Sequence, residues 1–381
     1  MRILHTSDWH LGRQLHNVSL LEDQRHMLEQ VITIIRDQDV DVVIVAGDIY
    51  DRSVPPAAAV ELLDETVNRI CNELNKELIV ISGNHDSGER LGFGARQMTT
   101  AGLHIVGPLW QDPEPIVLNG PHGEVAFYGI PYNAPATVRN LHDVELSTHD
   151  EAMALLTGKI RADNAQQRPS VVIAHCYLDG GSPCDSERPL SIGGADLVSA
   201  DHFKDFNYVA LGHLHGPQHK SHDHVRYSGS PLKYSFSEHN HNKGVTLVDI
   251  DEQGAVSIMQ VPVIPLRNMR VVEGLLDDLL EAGRLDPKRE DYISARLEDT
   301  HAILEPMARL REVYPNILHL EKTGLVNRSE QLKASRERIN KGEMSMLTDF
   351  YQQVTGDALS AAQRKIAVKT LEQLYAAEES H

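Results

Sequence analysis

This sequence predicts an α/β fold with its reactive groups gathered at the carboxyl ends of parallel strands, and three observations carry that reading. Short apolar runs recur at Ile3-Leu4, Val42-Val43-Ile44-Val45, Leu78-Ile79-Val80-Ile81, Val171-Val172-Ile173 and Val209-Ala210-Leu211. Runs of this kind, rich in β-branched residues, read as strands buried on both faces. Stretches with helical apolar spacing lie between them, as in Gln24–Arg36 and Ala57–Asn75. Each run then ends in metal-binding side chains: Asp8-Trp9-His10, Gly47-Asp48, Gly83-Asn84-His85-Asp86, His175 and Gly212-His213-Leu214-His215. Strands sharing one direction bring these motifs to the same carboxyl edge of a sheet, where open α/β sheets build their sites. Aspartate, asparagine and imidazole converging there suffice to hold two divalent ions.

The order of elements follows from the same patterns. Residues 1–265 alternate strands and helices, interrupted by two hairpin-like stretches. Ile116–Tyr128 turns at Asn119-Gly120-Pro121-His122-Gly123, and Gly244–Val261 turns at Asp251-Glu252-Gln253-Gly254. Glycine at 47, 83 and 212 lets the chain turn at the strand tips and leaves room beside them. His222/His224 and His239/His241 repeat the His-x-His spacing with no strand run before them, so they read as solvated turns. Val261-Pro262-Val263-Ile264-Pro265 is a connector, because two prolines break strand pairing.

Beyond it, Asn268–Val272, Leu275–Glu281, Tyr292–Leu297, Pro306–Val313 and Ile317–Leu320 read as strand, helix, strand, helix, strand, a small α/β domain over residues 266–326. A charged linker, residues 327–343, comes next. Residues 344–381 hold two amphipathic helices, one marked by Leu347, Phe350, Tyr351 and Val354, the other by Ala367, Leu371, Leu374 and Tyr375.

Composition narrows the class. A chain of 381 residues, 41% hydrophobic, can bury a large core in roughly two or three domains. Three scattered cysteines do not make a disulfide framework and point to a reducing compartment. The first strand begins at the amino terminus, no signal peptide precedes it, and no apolar run reaches membrane-spanning length; a cytoplasmic protein with no membrane partner is expected. The formal charge of −19, from 36 basic and 55 acidic residues, speaks against holding DNA by bulk electrostatics. A local basic strip would have to do so, and its candidates are Arg267 and Arg270, then Lys333, Arg336, Arg338 and Lys341. The phosphate-binding Gly-x-x-x-x-Gly-Lys-[Ser/Thr] loop does not occur, so no ATP site is expected in this chain.

The wording of the motifs resembles one family closely. Ile3-Leu4-His5-Thr6-Ser7-Asp8-Trp9-His10-Leu11-Gly12, Ala46-Gly47-Asp48-Ile49-Tyr50-Asp51, Gly83-Asn84-His85-Asp86-Ser87, Tyr208–His215 and Val225–Phe236 are similar, in order, to the blocks of the calcineurin-like metallophosphoesterases and, within them, the SbcD family. The resemblance covers about two-thirds of the chain. It implies two stacked mixed β-sheets flanked by helices, an αββα sandwich, with a small α/β cap that positions DNA. It assigns one ion to Asp8, His10, Asp48 and His215 and the other to Asp48, Asn84, His175 and His213. Manganese suits that mixed set best, with magnesium the alternative. His85 is then the catalytic acid for the departing 3′ oxygen, with Asp86 placed to hold its tautomer. The Gly47–Arg52 block also echoes protein phosphatases, in which the arginine holds phosphate, so Arg52 is a substrate-binding candidate.

The activity that the resemblance implies is equally specific: a 3′ to 5′ exonuclease and a hairpin and single-strand endonuclease in DNA repair, recombination and replication. Its partner is an SbcC-like coiled-coil ATPase, two copies of each subunit making the complex, with homodimerisation of this chain and the tail helices docking the ATPase. A phosphatase acting on a phosphoprotein or small phosphoester is the alternative. Ser-Asp-Trp-His-Leu-Gly in place of Gly-Asp-x-His-Gly, and aspartate rather than glutamate after Asn84-His85, argue against it. A binding subunit with a dead site is argued against by the complete ligand set.

Overall fold

The apolar runs are strands, buried on both faces as their composition requires. The computed structural model describes residues 1–121, 123–166, 168–187 and 196–324, then 347–348, 351–352, 355 and 357–378; for 371–378 it describes the backbone alone. It divides into two units, Met1–Asn268 and Met269–His381.

The first unit is built on two six-stranded mixed sheets. In one, Arg2–Thr6, Val42–Ala46, Glu77–Ile81 and Leu103–Val106 run parallel, and the antiparallel Gly244–Ile250 and Val256–Pro262 hairpin completes the edge beside Arg2–Thr6. In the other, Gly123–Ile130, Ser170–His175, Tyr208–Gly212 and His222–Tyr227 run parallel, with Ile116–Gly120 and Gln218–Lys220 antiparallel at the two edges. Alternate residues of each strand serve different cores. Ile3, Ile44, Ile79, Val171, Ile173 and Ala210 pack together between the sheets. Val172, Ala174, Val209 and Leu211 face away, against Leu156 and Ile160 of the helix His149–Asp163. The fold class is therefore the expected one, two stacked mixed sheets with helices.

The five metal-binding motifs do not leave one sheet, as the runs alone suggested. Three follow strands of the first sheet and two follow strands of the second, and they converge because the sheets abut at those tips. Glycine is what lets the tips touch. A Cβ on Gly212 would stand 1.8 Å from the Ala46 carbonyl oxygen, and one on Gly47 would stand 2.3 Å from His175 Nδ1. Of these two only Gly47, at φ +90, also needs the left-handed region. Gly212→Ala should therefore destabilise the first unit by at least the ~1–3 kcal/mol of an overpacked core, because the atom met is backbone and has no rotamer to change. Calorimetry of the variant should show a Tm lowered by several degrees.

The second unit has the order strand, helix, strand, helix, strand. Met269–Gly274, Tyr292–Leu297 and Ile317–Lys322 form a parallel sheet with Tyr292–Leu297 central. Leu276–Leu285 and Pro306–Arg311 cover it, burying Leu279, Leu280 and Leu310 against Ile293 and Leu297. The division falls at 268/269, so Arg267 belongs to the first unit and not to the start of the second. In the tail, Ala361–Glu378 is one helix of 18 residues with Ile366 68% exposed. Phe350, Val354, residues 327–343 and the basic candidates Lys333, Arg336, Arg338 and Lys341 lie outside the described residues.

One further reading changes. His222 and His224 stand on a strand, half-buried, with their rings stacked 5.4 Å apart, so that pair is not a turn, whereas His239 and His241 do follow a turn and are half-buried in it. The alternating His-Asp-His sequence hides the strand because its first residues are polar on both faces.

Candidate metal centre

The site is assembled by backbone that most side chains would not tolerate. Asp8, His10 and Asp48 hold φ values of +54, +45 and +50, and His213 holds +107. Each such residue costs on the order of 1–3 kcal/mol, which the surroundings must offset. Hydrogen bonds between the loops do so: Asp8 N–H donates to the Gly47 carbonyl (3.0 Å) and His10 N–H to the Asp48 carbonyl (2.9 Å). Gln24 reaches in from the first helix, its amide donating to the His10 carbonyl at 2.7 Å while its oxygen accepts from Gly12 N–H at 3.0 Å.

The side chains meet in a way that points to cations. His175 Nδ1–H donates to the Ala46 carbonyl (2.9 Å), so its Nε2 carries a lone pair, and that lone pair lies 3.0 Å from Asn84 Oδ1, itself an acceptor. His213 Nδ1 is 3.1 Å from the same oxygen. With its oxygen turned to the two rings, Asn84 has a buried Nδ2 without a hydrogen-bond partner. On the other side His10 Nε2 and His215 Nε2 approach to 3.0 Å. Asp48 stands between the two groups, its Oδ2 3.6 Å from both His10 Nε2 and His175 Nε2. Nitrogen and oxygen donors crowded at these distances are stabilised by a positive charge shared among them, and an oxygen equidistant from two histidine groups is placed to bridge two ions.

Asp8 completes the first group, lying with His10 and His215, and with Asp48 and His175, in clusters whose donor atoms are all within 4.8 Å of one another. Burial pushes its carboxyl up to about 7, and neighbouring Asp48 adds to the shift. Burial likewise holds His10 and His213 well below the usual imidazole range, and so neutral and able to ligate. A divalent ion would supply the counter-charge that the buried carboxylates need. The donors present thus fit two ions, in the sets Asp8, His10, Asp48, His215 and Asp48, Asn84, His175, His213.

His85 borders this cluster, with a ring nitrogen also lying within 4.8 Å of donor atoms of His10 and Asp51. Its ring packs edge-on against His10, centroids 4.6 Å apart, and its Nε2 lies 4.0 Å from Asp48 Oδ2. Its tautomer is set by the Asp51 carbonyl, 2.7 Å from Nδ1. That corrects the expectation for Asp86, whose carboxylate instead accepts from the amides of Gly83 (2.9 Å), Ile49 (3.1 Å) and Tyr50 (2.9 Å), tying together the loops that carry Asp48 and Asn84. Asp86 is a brace, not a partner in proton transfer.

The arginines are corrected as well. Arg267 is held by Glu22 (2.7 Å) and Asp23 (3.0 Å), and Arg270 by Asp286 and Asp291, each at 2.7 Å. Both are paired with carboxylates within their own units. Arg52 is exposed, on the loop after Asp51. A cation that stands behind the cluster, and that sequence reasoning missed, is Arg13: it pairs with Asp51 at 3.0 Å and lies over the Tyr234 ring. Asp51 Oδ1 is in turn 3.8 Å from His10 Nδ1. Arg13, one residue past Gly12, carried no periodic signal that could have singled it out.

A pair of facing sheets whose abutting tips present two cation sites around a shared carboxylate defines a class, the metal-dependent phosphoesterases. Residues 1–217 match the family model described as Calcineurin-like phosphoesterase, and residues 265–355 match the one described as Type 5 capsule protein repressor C-terminal domain. Over 365 residues the chain is 35% identical to the SbcD subunit of the nuclease SbcCD from Staphylococcus epidermidis, a span of 95% of this chain and 96% of that one. The chain belongs to the SbcD family. Among solved structures it is similar to GAP50, the anchor in the inner membrane complex of Plasmodium (TM-score 0.46, 13% identity, 69% of this chain and 84% of that one). It is also similar to a dimetal phosphatase from Danio rerio (TM-score 0.42, 11% identity, 69% and 96%). Among the described residues no helix is long and apolar enough to cross a membrane.

Proposed function

We propose that this chain is a manganese-dependent DNA nuclease that works with an SbcC-like coiled-coil ATPase in repair, recombination and the removal of hairpins during replication, with magnesium as a weaker substitute. The observation that carries the reading is the similarity to a nuclease subunit over almost the whole of both chains. Three free cysteines and the lack of a spanning helix among the described residues are in keeping with the cytoplasm.

Asp8, His10, Asp48, Asn84, His175, His213 and His215 would hold the ions. When bound, the ions would lower the pKa of a water poised to attack and offset charge growing on the phosphoryl oxygens. The other roles belong to the chain. His85 Nδ1–H is committed to the Asp51 carbonyl, so a proton for the leaving 3′ oxygen would come from Nε2 of the imidazolium form, the side that faces Asp48, leaving the neutral Nδ1–H ring behind. Arg13 neutralises Asp51 and keeps that carbonyl in place behind His85. With Arg267 and Arg270 held in ion pairs, grip on DNA would draw on Arg52, the basic residues Lys333, Arg336, Arg338 and Lys341, the α/β unit acting as a cap, a second copy of this chain, or the ATPase in a two-plus-two assembly.

Labelled duplex and hairpin DNA, compared with a phosphopeptide in manganese and in magnesium, tests the reading. DNA should be cut, from 3′ ends and at hairpins, faster in manganese; faster turnover of the phosphopeptide would favour the phosphatase alternative. Removing residues 344–381 should leave hydrolysis of bis-p-nitrophenyl phosphate intact, because every proposed ligand lies in Met1–Asn268, while co-purification with the ATPase and ATP-stimulated cutting of duplex ends are lost. Co-purification at the wild-type level would show that the tail is not the docking element.

A further inference from the structure

Behind His215 runs a buried chain of hydrogen bonds that the ligand set does not use. His215 Nδ1 lies 2.8 Å from Ser186 Oγ, which lies 2.6 Å from Glu238 Oε1. Lys243 Nζ closes the chain, 2.5 Å from Glu238 Oε2, and also donates to the His215 carbonyl (2.7 Å) and to Ser230 Oγ (2.9 Å). Ser186 is 7% exposed, Glu238 0% and Lys243 7%.

The directions of these bonds are fixed by the chemistry of the groups. Glu238 faces an ammonium and, as a carboxylate, can only accept. Ser186 therefore gives its proton to Glu238 and offers its lone pair to His215, whose Nδ1 must carry a hydrogen. The lone pair of His215 is then on Nε2, the atom 3.0 Å from His10 Nε2. The same segment grips His215 a second time, since the adjacent Glu187 accepts from the His215 amide at 2.6 Å. His175, serving the other ion, has its tautomer set by a backbone carbonyl, which no side-chain substitution removes.

We infer that Ser186 and Glu238, sustained by Lys243, are positioning residues that fix the tautomer and rotation of His215 and thereby set the affinity of one ion of the pair independently of the other. This rests on the two-ion reading of the site. Outer partners of metal-bound histidines typically govern about 10–100-fold in affinity.

The test is manganese titration of Ser186→Ala, following free Mn²⁺ by electron paramagnetic resonance, beside ¹⁵N spectra of the His215 ring in the metal-free protein. Ser186→Ala removes the acceptor of Nδ1–H and leaves the buried Glu238–Lys243 pair in place. One manganese should bind about 10–100-fold more weakly, the second should bind as in wild type, and the Nδ1–H tautomer should lose its dominance. Ser186→Thr, which keeps the hydroxyl, should restore both. Unchanged affinities and tautomer would overturn the inference, as would an equal weakening of both ions together with a lowered Tm, which marks general loosening. A wild type that binds no pair of ions would overturn the two-ion reading, and this inference with it.

Discussion

Asp48→Ala is expected to leave the protein without a metal pair and without phosphodiesterase activity. Asp48 Oδ2 is the oxygen equidistant, at 3.6 Å, from the two histidine groups, so its loss takes a ligand from both ions and leaves two cations facing each other unscreened. Its other oxygen accepts the His85 amide at 2.9 Å, so the loop carrying Asn84 loosens as well. Metal content by mass spectrometry should fall from two ions to none retained through desalting, and the rate by more than the ~10–100-fold that an outer partner commands. His10→Ala, by contrast, should weaken one ion preferentially. Two ions held at full occupancy by the Asp48→Ala protein would remove Asp48 from the bridging role.

His85→Gln separates chemistry from binding. Glutamine has a similar reach and can still donate to the Asp51 carbonyl, yet it carries no titratable proton. Metal content and DNA affinity should be those of the wild type, while cleavage falls by something on the order of 10²–10⁴, the usual worth of a general acid. The loss should be smaller for bis-p-nitrophenyl phosphate, whose leaving group needs little protonation. Metal lost along with the rate would make His85 a ligand.

Much of this was legible in the sequence for a physical reason. A strand buried on both faces has to be apolar throughout, so Val42–Val45 and Val171–Ile173 declare themselves, and the residues just past the carboxyl end of such a strand are where an α/β sheet places a site. The seven proposed ligands were named from that rule together with the resemblance, and their side chains lie close together in the structure. The features that could not be read depend on partners distant in sequence. Arg267 looked like a free cation because Glu22 and Asp23 lie 245 and 244 residues away. Asp86 looked like a partner for the neighbouring His85, but a carboxylate one residue along serves whichever backbone amides the turn presents, and here those belong to Gly83, Ile49 and Tyr50. The support of His215 by Ser186, Glu238 and Lys243 left no trace, since buried polar residues in loops follow no period.

The glycines show the same boundary between pattern and packing. Their presence at the strand tips was legible, but turning was only part of their use. Gly212 is required because a Cβ would strike the Ala46 carbonyl, an atom that approaches only once the two sheets have stacked, and Gly83 because a Cβ would strike Asp48 at the tip of the neighbouring strand of its own sheet.

The proposed mechanism stands on Asp48 as the carboxylate that would bridge two ions, one held beside Asp8, His10 and His215 and the other beside Asn84, His175 and His213. Anomalous scattering from manganese in crystals of the wild-type protein tests that bridge directly. Two peaks should flank Asp48, separated by the ~3.5–4 Å usual for two-metal phosphoesterases. A single peak, or density instead among Cys184, Glu238 and His241 behind His215, would contradict it.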